Sequence, residues 1–242
     1  MKSIHDLKIK IFADGADYDG MQEMYANPLI KGFTTNPTLM RKAGVNDYPA
    51  FARKVLSAIP DRPVSFEVLA DDFDEMERQA RELASWGENV YVKIPVTDTH
   101  GQSSASVIKR LSRAGVQVNV TAILTFEQVQ QIADCLDSPS FISVFAGRIA
   151  DTGRDPIPMM AASVRLLESS PLAQLIWASP RELLNIYHAE EIGCHVITVT
   201  NDILKKLTLL GKDLNQYSLE TVRMFYGDAQ RAGFTLEVGS VV

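Results

Sequence analysis

Eight short apolar runs, alternating with amphipathic stretches along the whole chain, restrict its fold more than any other feature. The runs are Ile9–Ala13, Gly32–Thr35, Val64–Leu69, Val90–Val96, Val118–Leu124, Phe141–Ala146, Leu175–Ala178 and Val196–Val199. They are short and rich in β-branched and aromatic residues, as strands buried on both faces are. The stretches between them read as helices. Asp71 is a candidate cap for a helix in which Phe73, Met76, Ala80 and Leu83 form one apolar stripe. Thr125 precedes Phe126-Glu127-Gln128-Val129, a cap followed by an acid in the first turn. Ser179 stands before Pro180 as a cap before proline at the first helical position, and Gly193 can close that helix.

Strands that alternate with helices predict a parallel sheet with crossover helices. With 242 residues, the chain is close to the ~250 typical of a (β/α)8 barrel. An open doubly wound sheet is the alternative, but no glycine-rich phosphate fingerprint follows the first run. Beyond the eighth run lie a helix over Ile203–Leu210, a polar break near Gly211–Gln216 and a further helix at about 218–232. Leu219, Val222, Phe225 and Tyr226 share one side of that last helix. The expectation is one α/β domain over residues 1–242, a (β/α)8 barrel whose additional C-terminal helix packs on the barrel or on a neighbouring subunit.

The balance of 24 basic against 30 acidic residues argues against a nucleic-acid or anionic-membrane surface. An anionic substrate must then be held by a few local arginines or backbone N–H groups. Cys135 and Cys194 have no metal-ligand spacing and read as free thiols of a reducing compartment. The N-terminal residues carry no apolar signal segment, and no run is long enough to span a membrane. A cytoplasmic protein is expected.

One cation interrupts the fourth run: Lys93, within Val90-Tyr91-Val92-Lys93-Ile94-Pro95-Val96. Burial disfavours an ammonium, and a neutral amine is a nucleophile for carbonyl substrates. The simpler reading is a lysine that reaches to the strand end or pairs with a carboxylate. Other runs also carry polar residues in or just beyond an apolar segment: Asp14; Thr34, Thr35 and Asn36; Ser65 and Glu67; Asn119 and Thr121; Ser143 and Arg148; Ser179 and Arg181. Barrel active sites lie at the C-terminal strand ends, so these groups would converge there. Each has a plainer explanation: Asp14 could cap the helix near Asp17, Glu67 could be a structural partner of Lys93, and Arg148 could pair with Asp151. Asn119 and Thr121 could serve only backbone groups, and His100 and His195 read as packing or solvated histidines. A single site explains the set jointly: an amine nucleophile, proton-transfer acids, and amides and hydroxyls for a ketose.

The motifs resemble those of the transaldolase family, Schiff-base (β/α)8 enzymes that include fructose-6-phosphate aldolases. The resemblance lies in Phe12-Ala13-Asp14, Thr34-Thr35-Asn36-Pro37, Ser65-Phe66-Glu67, Val92-Lys93-Ile94-Pro95, Asn119-Val120-Thr121, Ser143-Val144-Phe145-Ala146-Gly147-Arg148 and Ala178-Ser179-Pro180-Arg181. It implies that Lys93 forms the Schiff base, Glu67 activates a catalytic water held with Thr121, and Asp14 exchanges a proton with the sugar hydroxyl. It further implies that Asn36, Asn119 and Ser143, beside Thr35, bind the dihydroxyacetone portion, and that Arg148, Ser179 and Arg181 bind the phosphate. No metal or cofactor is implied, because the iminium itself supplies the positive charge.

Within that family the aldolases resemble one another in carrying Gln at the position of Glu67, Tyr at that of Phe145 and Ala at that of Ser143. All three residues here look like transaldolase. The resemblance therefore implies transfer of dihydroxyacetone from fructose 6-phosphate or sedoheptulose 7-phosphate to an aldose phosphate. A fructose-6-phosphate aldolase and a transaldolase for a modified ketose such as sulfofructose are the alternatives, with a catalytically silent sugar-phosphate-binding barrel as a third. Val144, Pro180 and Phe33 depart from the family pattern, and Pro180 does so inside the expected anion pocket. Compact members of the family resemble one another in forming pentamer-based decamers, so a pentamer or decamer is expected here before a dimer.

Overall fold

A computed structural model of the chain describes residues 3–236. Its eight strands are β1 (Lys10–Asp14), β2 (Ile30–Thr34), β3 (Val64–Glu67), β4 (Val90–Pro95), β5 (Val118–Ile123), β6 (Ser140–Val144), β7 (Ala173–Trp177) and β8 (Val196–Thr200). They pair in parallel, in chain order, and β8 returns to β1 to close a (β/α)8, or TIM, barrel. Every apolar run overlaps a strand. The ends differ by at most two residues, in some cases because apolar sequence outlasts the ladder. Leu69, expected in the third strand, is 59% exposed beyond it, and its N–H donates to the Gln79 side chain.

Two expected helix caps are corrected. The helix Phe73–Ala84 is capped one residue later than expected, by Asp72, whose carboxylate accepts from the Glu75 N–H. Asp71 instead accepts from the backbone and hydroxyl of Thr99 across the next loop. Ser179 caps nothing: it lies at φ 58, and the helix that follows is Leu184–Glu191. There the Asn185 side chain takes over, accepting from the N–H groups of Arg181 and Glu182. The other two signals hold. Thr125 and Gln128 form a reciprocal capping box for Phe126–Ala133, and Gly193 follows its helix at φ 73. The helix expected over Ile203–Leu210 divides into Asn201–Leu204 and a 3-10 segment, Lys205–Leu209.

Inside the barrel, residues two apart on a strand share a face. Phe12, Phe141, Ile176 and Val196 pack together as the floor, with Tyr91 against them. The Phe12 ring stands edge-on to Phe141 at 5.4 Å and lies directly over Gly32. A Cβ on Gly32 would meet that ring at 2.5 Å, so β2 offers no side chain where β1 offers its largest. The next inward positions up the same strands are Asp14, Lys93, Ser143 and Thr198.

The described residues divide into two compact units, one that holds the barrel and runs to Lys205 and a smaller one that begins at Lys206. The smaller unit holds the helix Leu214–Ala232, capped by Asp213 and closed at Gly233 with φ 66. None of its residues is buried, and Val222, Phe225 and Tyr226 are all exposed. Among the described residues no helix is long and apolar enough to cross a membrane.

Candidate active site

Strand register brings the reactive groups together. Glu67 on β3 is level with Lys93 on β4, and Lys93 is level with Asn119 on β5. Lys93 is 5% exposed. Its Nζ donates to the Thr35 carbonyl at 2.9 Å and lies 3.3 Å from Glu67 Oε2. A buried amine is thereby aimed by one neutral acceptor and one carboxylate, which suits a nucleophile with a proton carrier beside it. The same contact is the ion pair of the plainer reading, and the two roles are compatible.

Asp14 ends β1 level with Thr34 and Thr200. It accepts from the Thr34 hydroxyl at 2.7 Å, and that hydroxyl lies 2.5 Å from Thr198 Oγ1. Desolvation raises the Asp14 pKa above the usual carboxylate value; the positive charge of Lys93 and the Thr34 hydrogen bond act in the opposite direction. A carboxyl of this kind holds its proton to higher pH, as a group that both takes and returns a proton requires. It caps no helix: Asp17 caps Tyr18–Ala26 itself.

On the other side of Lys93, Asn119 donates to Ser65 Oγ at 3.0 Å and accepts from the Ser143 hydroxyl at 2.7 Å. Beyond it β5 breaks register between Val120 and Ile123, with Ala122 at φ 62. Thr121 lies within this irregularity, and its buried Oγ1 has no hydrogen-bond partner among the described residues. A buried hydroxyl without a partner costs free energy unless a water or ligand meets it.

A cavity of about 150 Å³ opens over these groups, lined among others by Asp14, Asn36, Lys93, Thr121, Ser143 and Phe145. Arg148, Ser179, Pro180 and Arg181 line it as well. Asn36 also caps the helix Pro37–Lys42 through its side-chain oxygen. Thr35, Glu67 and Asn119 stand behind the wall: the Thr35 hydroxyl is bonded to the Ser65 carbonyl, and Glu67 also borders a groove with Tyr48 and Trp86.

The two arginines differ. Arg148 lies over the Phe145 ring, 5.1 Å from its centre. Arg181 is held by both carboxylate oxygens of Asp151, with its Nε 3.0 Å from Oδ1. The partner of Asp151 is thus Arg181, where sequence proximity suggested Arg148. Ser179 is locked by close packing, because a Cβ on Gly147 would lie 1.5 Å from its carbonyl oxygen.

Sequence reasoning missed Thr198 and Thr200, both of which line the cavity. The alternation Val196, Thr198, Thr200 on β8 carried that information, as the other strands' alternation did. His195 is placed away from the mouth, at the start of β8, where its Nδ1 accepts from the Leu175 N–H. Cys135 and Cys194 are buried free thiols, and desolvation pushes Cys194 up to about 12.

Comparison with known proteins shows which family the chain belongs to. The sequence pattern described as transaldolase/fructose-6-phosphate aldolase matches residues 11–237. The chain belongs to that family. A protein of Dehalococcoides mccartyi named a probable transaldolase is 34% identical over 200 residues, covering 82% of this chain and 90% of that one. Another so named, from Methanococcus maripaludis, is 34% identical over the same share of this chain and 89% of its own. A third, from a Thermoanaerobacter species, is 33% identical with the same coverage.

Proposed function

We propose that this member of the transaldolase family is a transaldolase that moves a dihydroxyacetone unit from a ketose phosphate to an aldose phosphate through a Schiff base on Lys93. The observation that carries the reading is the placement of the Lys93 amine 3.3 Å from Glu67, with Asp14 lining the same cavity as Lys93.

The Lys93 amine adds to the C2 carbonyl of fructose 6-phosphate or sedoheptulose 7-phosphate. Glu67, through a water held at Thr121, delivers the proton with which the C2 oxygen leaves as water. The protonated imine draws electrons from the C3–C4 bond, which breaks as the C4 hydroxyl gives its proton to Asp14. An aldose phosphate departs, and the enamine stays on Lys93 beside Asn36, Asn119 and Ser143. An incoming aldehyde then forms the new bond at C3, its oxygen takes the proton back from Asp14, and water hydrolyses the imine. Arg148, with Ser179 and Arg181, holds the anionic end of the sugars. Phe145 bears no hydroxyl to protonate the enamine, which favours transfer over release of free dihydroxyacetone.

A second reading follows from the Arg181–Asp151 pair. With Arg181 partly neutralised, the anion end is weaker than two arginines would make it. A singly charged tail such as the sulfonate of a sulfofructose would then fit as well as a phosphate. The exposed apolar residues of the helix Leu214–Ala232 support a contact with a second copy of the chain, in a pentamer or decamer.

The reading is tested by supplying fructose 6-phosphate with and without erythrose 4-phosphate and following the products by mass. Sedoheptulose 7-phosphate and glyceraldehyde 3-phosphate should form only with the acceptor. Dihydroxyacetone released at the same rate in its absence would replace the transaldolase by an aldolase.

A further inference from the structure

A second and larger cavity, of about 390 Å³ against about 150 Å³, adjoins the catalytic one, and Asp14 and Thr200 line both. Its other walls come from the helices Tyr18–Ala26 and Pro37–Lys42 and from the turn after β8. Met21, Met24 and Leu39 give it an apolar side. Three carboxyl groups, Asp14, Asp17 and Asp202, line it against one ammonium, Lys42, which disfavours an anion. Arg148 and Arg181 do not border it. The two cavities therefore differ in what they accept, and they meet at the acid that handles the proton of the bond-forming step.

We propose that this chamber is a second acceptor subsite, which takes the uncharged carbon chain of an aldehyde that carries no phosphate. The inference rests on the transaldolase reading for its chemistry. An acceptor aldehyde has its carbonyl carbon at the Lys93 enamine and its oxygen at Asp14, so its chain can run toward Arg148 or into the chamber. A phosphorylated chain takes the first course and an apolar one the second. In either case the enamine carbon bonds to the carbonyl carbon, the carbonyl π bond opens, and the oxygen receives the Asp14 proton. Hydrolysis of the iminium then frees the Lys93 amine and the new ketose. Methionine walls adapt to chains of different shape, so the subsite selects for polarity and length more than for one outline.

The chamber can be narrowed from its rim. Ala43 is exposed, borders the chamber and has helical backbone angles (φ −80, ψ −1), so Ala43→Trp adds bulk without disturbing the core. With fructose 6-phosphate as donor, the ratio of kcat/KM for pentanal to that for erythrose 4-phosphate should fall about tenfold or more, the scale on which a pocket senses added or missing methylenes. An unchanged ratio would overturn the subsite. A second measurement is independent of turnover: the methyl resonances of 13C-labelled Met21 and Met24 should shift on adding pentanal, and less in Ala43→Trp. Methyls that stay in place under saturating pentanal would equally overturn it. Borohydride labelling of Lys93 by fructose 6-phosphate separates the two readings. Shifted methyls without a Lys93 adduct would keep the chamber and remove the transaldolase; an adduct with silent methyls would do the reverse.

Discussion

The floor and the mouth of the barrel are built on the same strands, two residues apart, and have opposite characters. Phe12, Tyr91, Phe141 and Val196 pack on one another below; Asp14, Lys93, Ser143 and Thr198 stand one inward step above and line the cavity. The floor is held by apolar contact, and its residues are interchangeable in kind if volume is kept. At the mouth the side chains of Asp14, Lys93, Ser143 and Thr198 each have a stated hydrogen-bond partner, and Thr121 is left open for one. One step along a strand thus changes a side chain's task from filling space to presenting polar groups to the cavity. Floor variants should lose stability and keep the chemistry, whereas mouth variants should keep stability and lose the chemistry.

The strongest attempt to break this division is Lys93→Ala. Imine formation should vanish while the far-ultraviolet circular dichroism of the folded barrel is retained; turnover surviving at any appreciable level would remove Lys93 from the mechanism. Glu67→Gln comes next. Loss of a positioned acid–base group costs ~10²–10⁴-fold in rate, and the slowed step should be imine formation in stopped-flow, with free dihydroxyacetone gaining as a product. From the floor, Phe141→Ala should cost ~3–5 kcal/mol in urea unfolding with kcat per folded molecule little changed. A kcat that falls as far as stability would show that the floor sets the geometry of the mouth.

Smaller effects sharpen the comparison. Hydrogen bonds to charged groups contribute ~1.5–3 kcal/mol, so Arg148→Ala should raise KM for phosphorylated sugars about tenfold or more and leave kcat nearly intact. Equal KM values would put the anion elsewhere. Asp14→Asn should do something a floor variant cannot. Because desolvation raises the Asp14 pKa in the fold, the native state holds a proton that the unfolded chain releases just above the ordinary value of 3.8. Stability is therefore lost as pH rises from there through the raised pKa. The variant lacks that loss, so its melting temperature should exceed the wild type's near pH 7 and the gap should close toward pH 3.5. A gap independent of pH would mean that Asp14 is not desolvated.

Much of this was legible from residue order because the barrel has a two-residue period and short, β-branched strands. Lys93, Glu67 and Asn119 were found as polar interruptions of apolar runs; their adjacency came from parallel register, which no single run encodes. Thr198 was missed although it interrupts its run in the same way. Asp71 and Asp72 are chemically equal caps, and only the pull of Thr99 on Asp71 separates them. The left-handed Ser179 is set by the Gly147 backbone packed against its carbonyl, a contact between distant parts of the chain. The Asp151–Arg181 pair spans 30 residues, which is why a nearer arginine looked like the partner.

The central claim is that Lys93 is the nucleophile, and borohydride trapping with fructose 6-phosphate tests it most directly. Peptide mapping should find the reduced adduct on Lys93 alone, and erythrose 4-phosphate added before the borohydride should discharge the bound enamine and lower its yield. An adduct on another lysine, or none with phosphorylated or sulfonated ketoses while the barrel stays folded, would contradict the account and leave a barrel that binds sugars without cutting them.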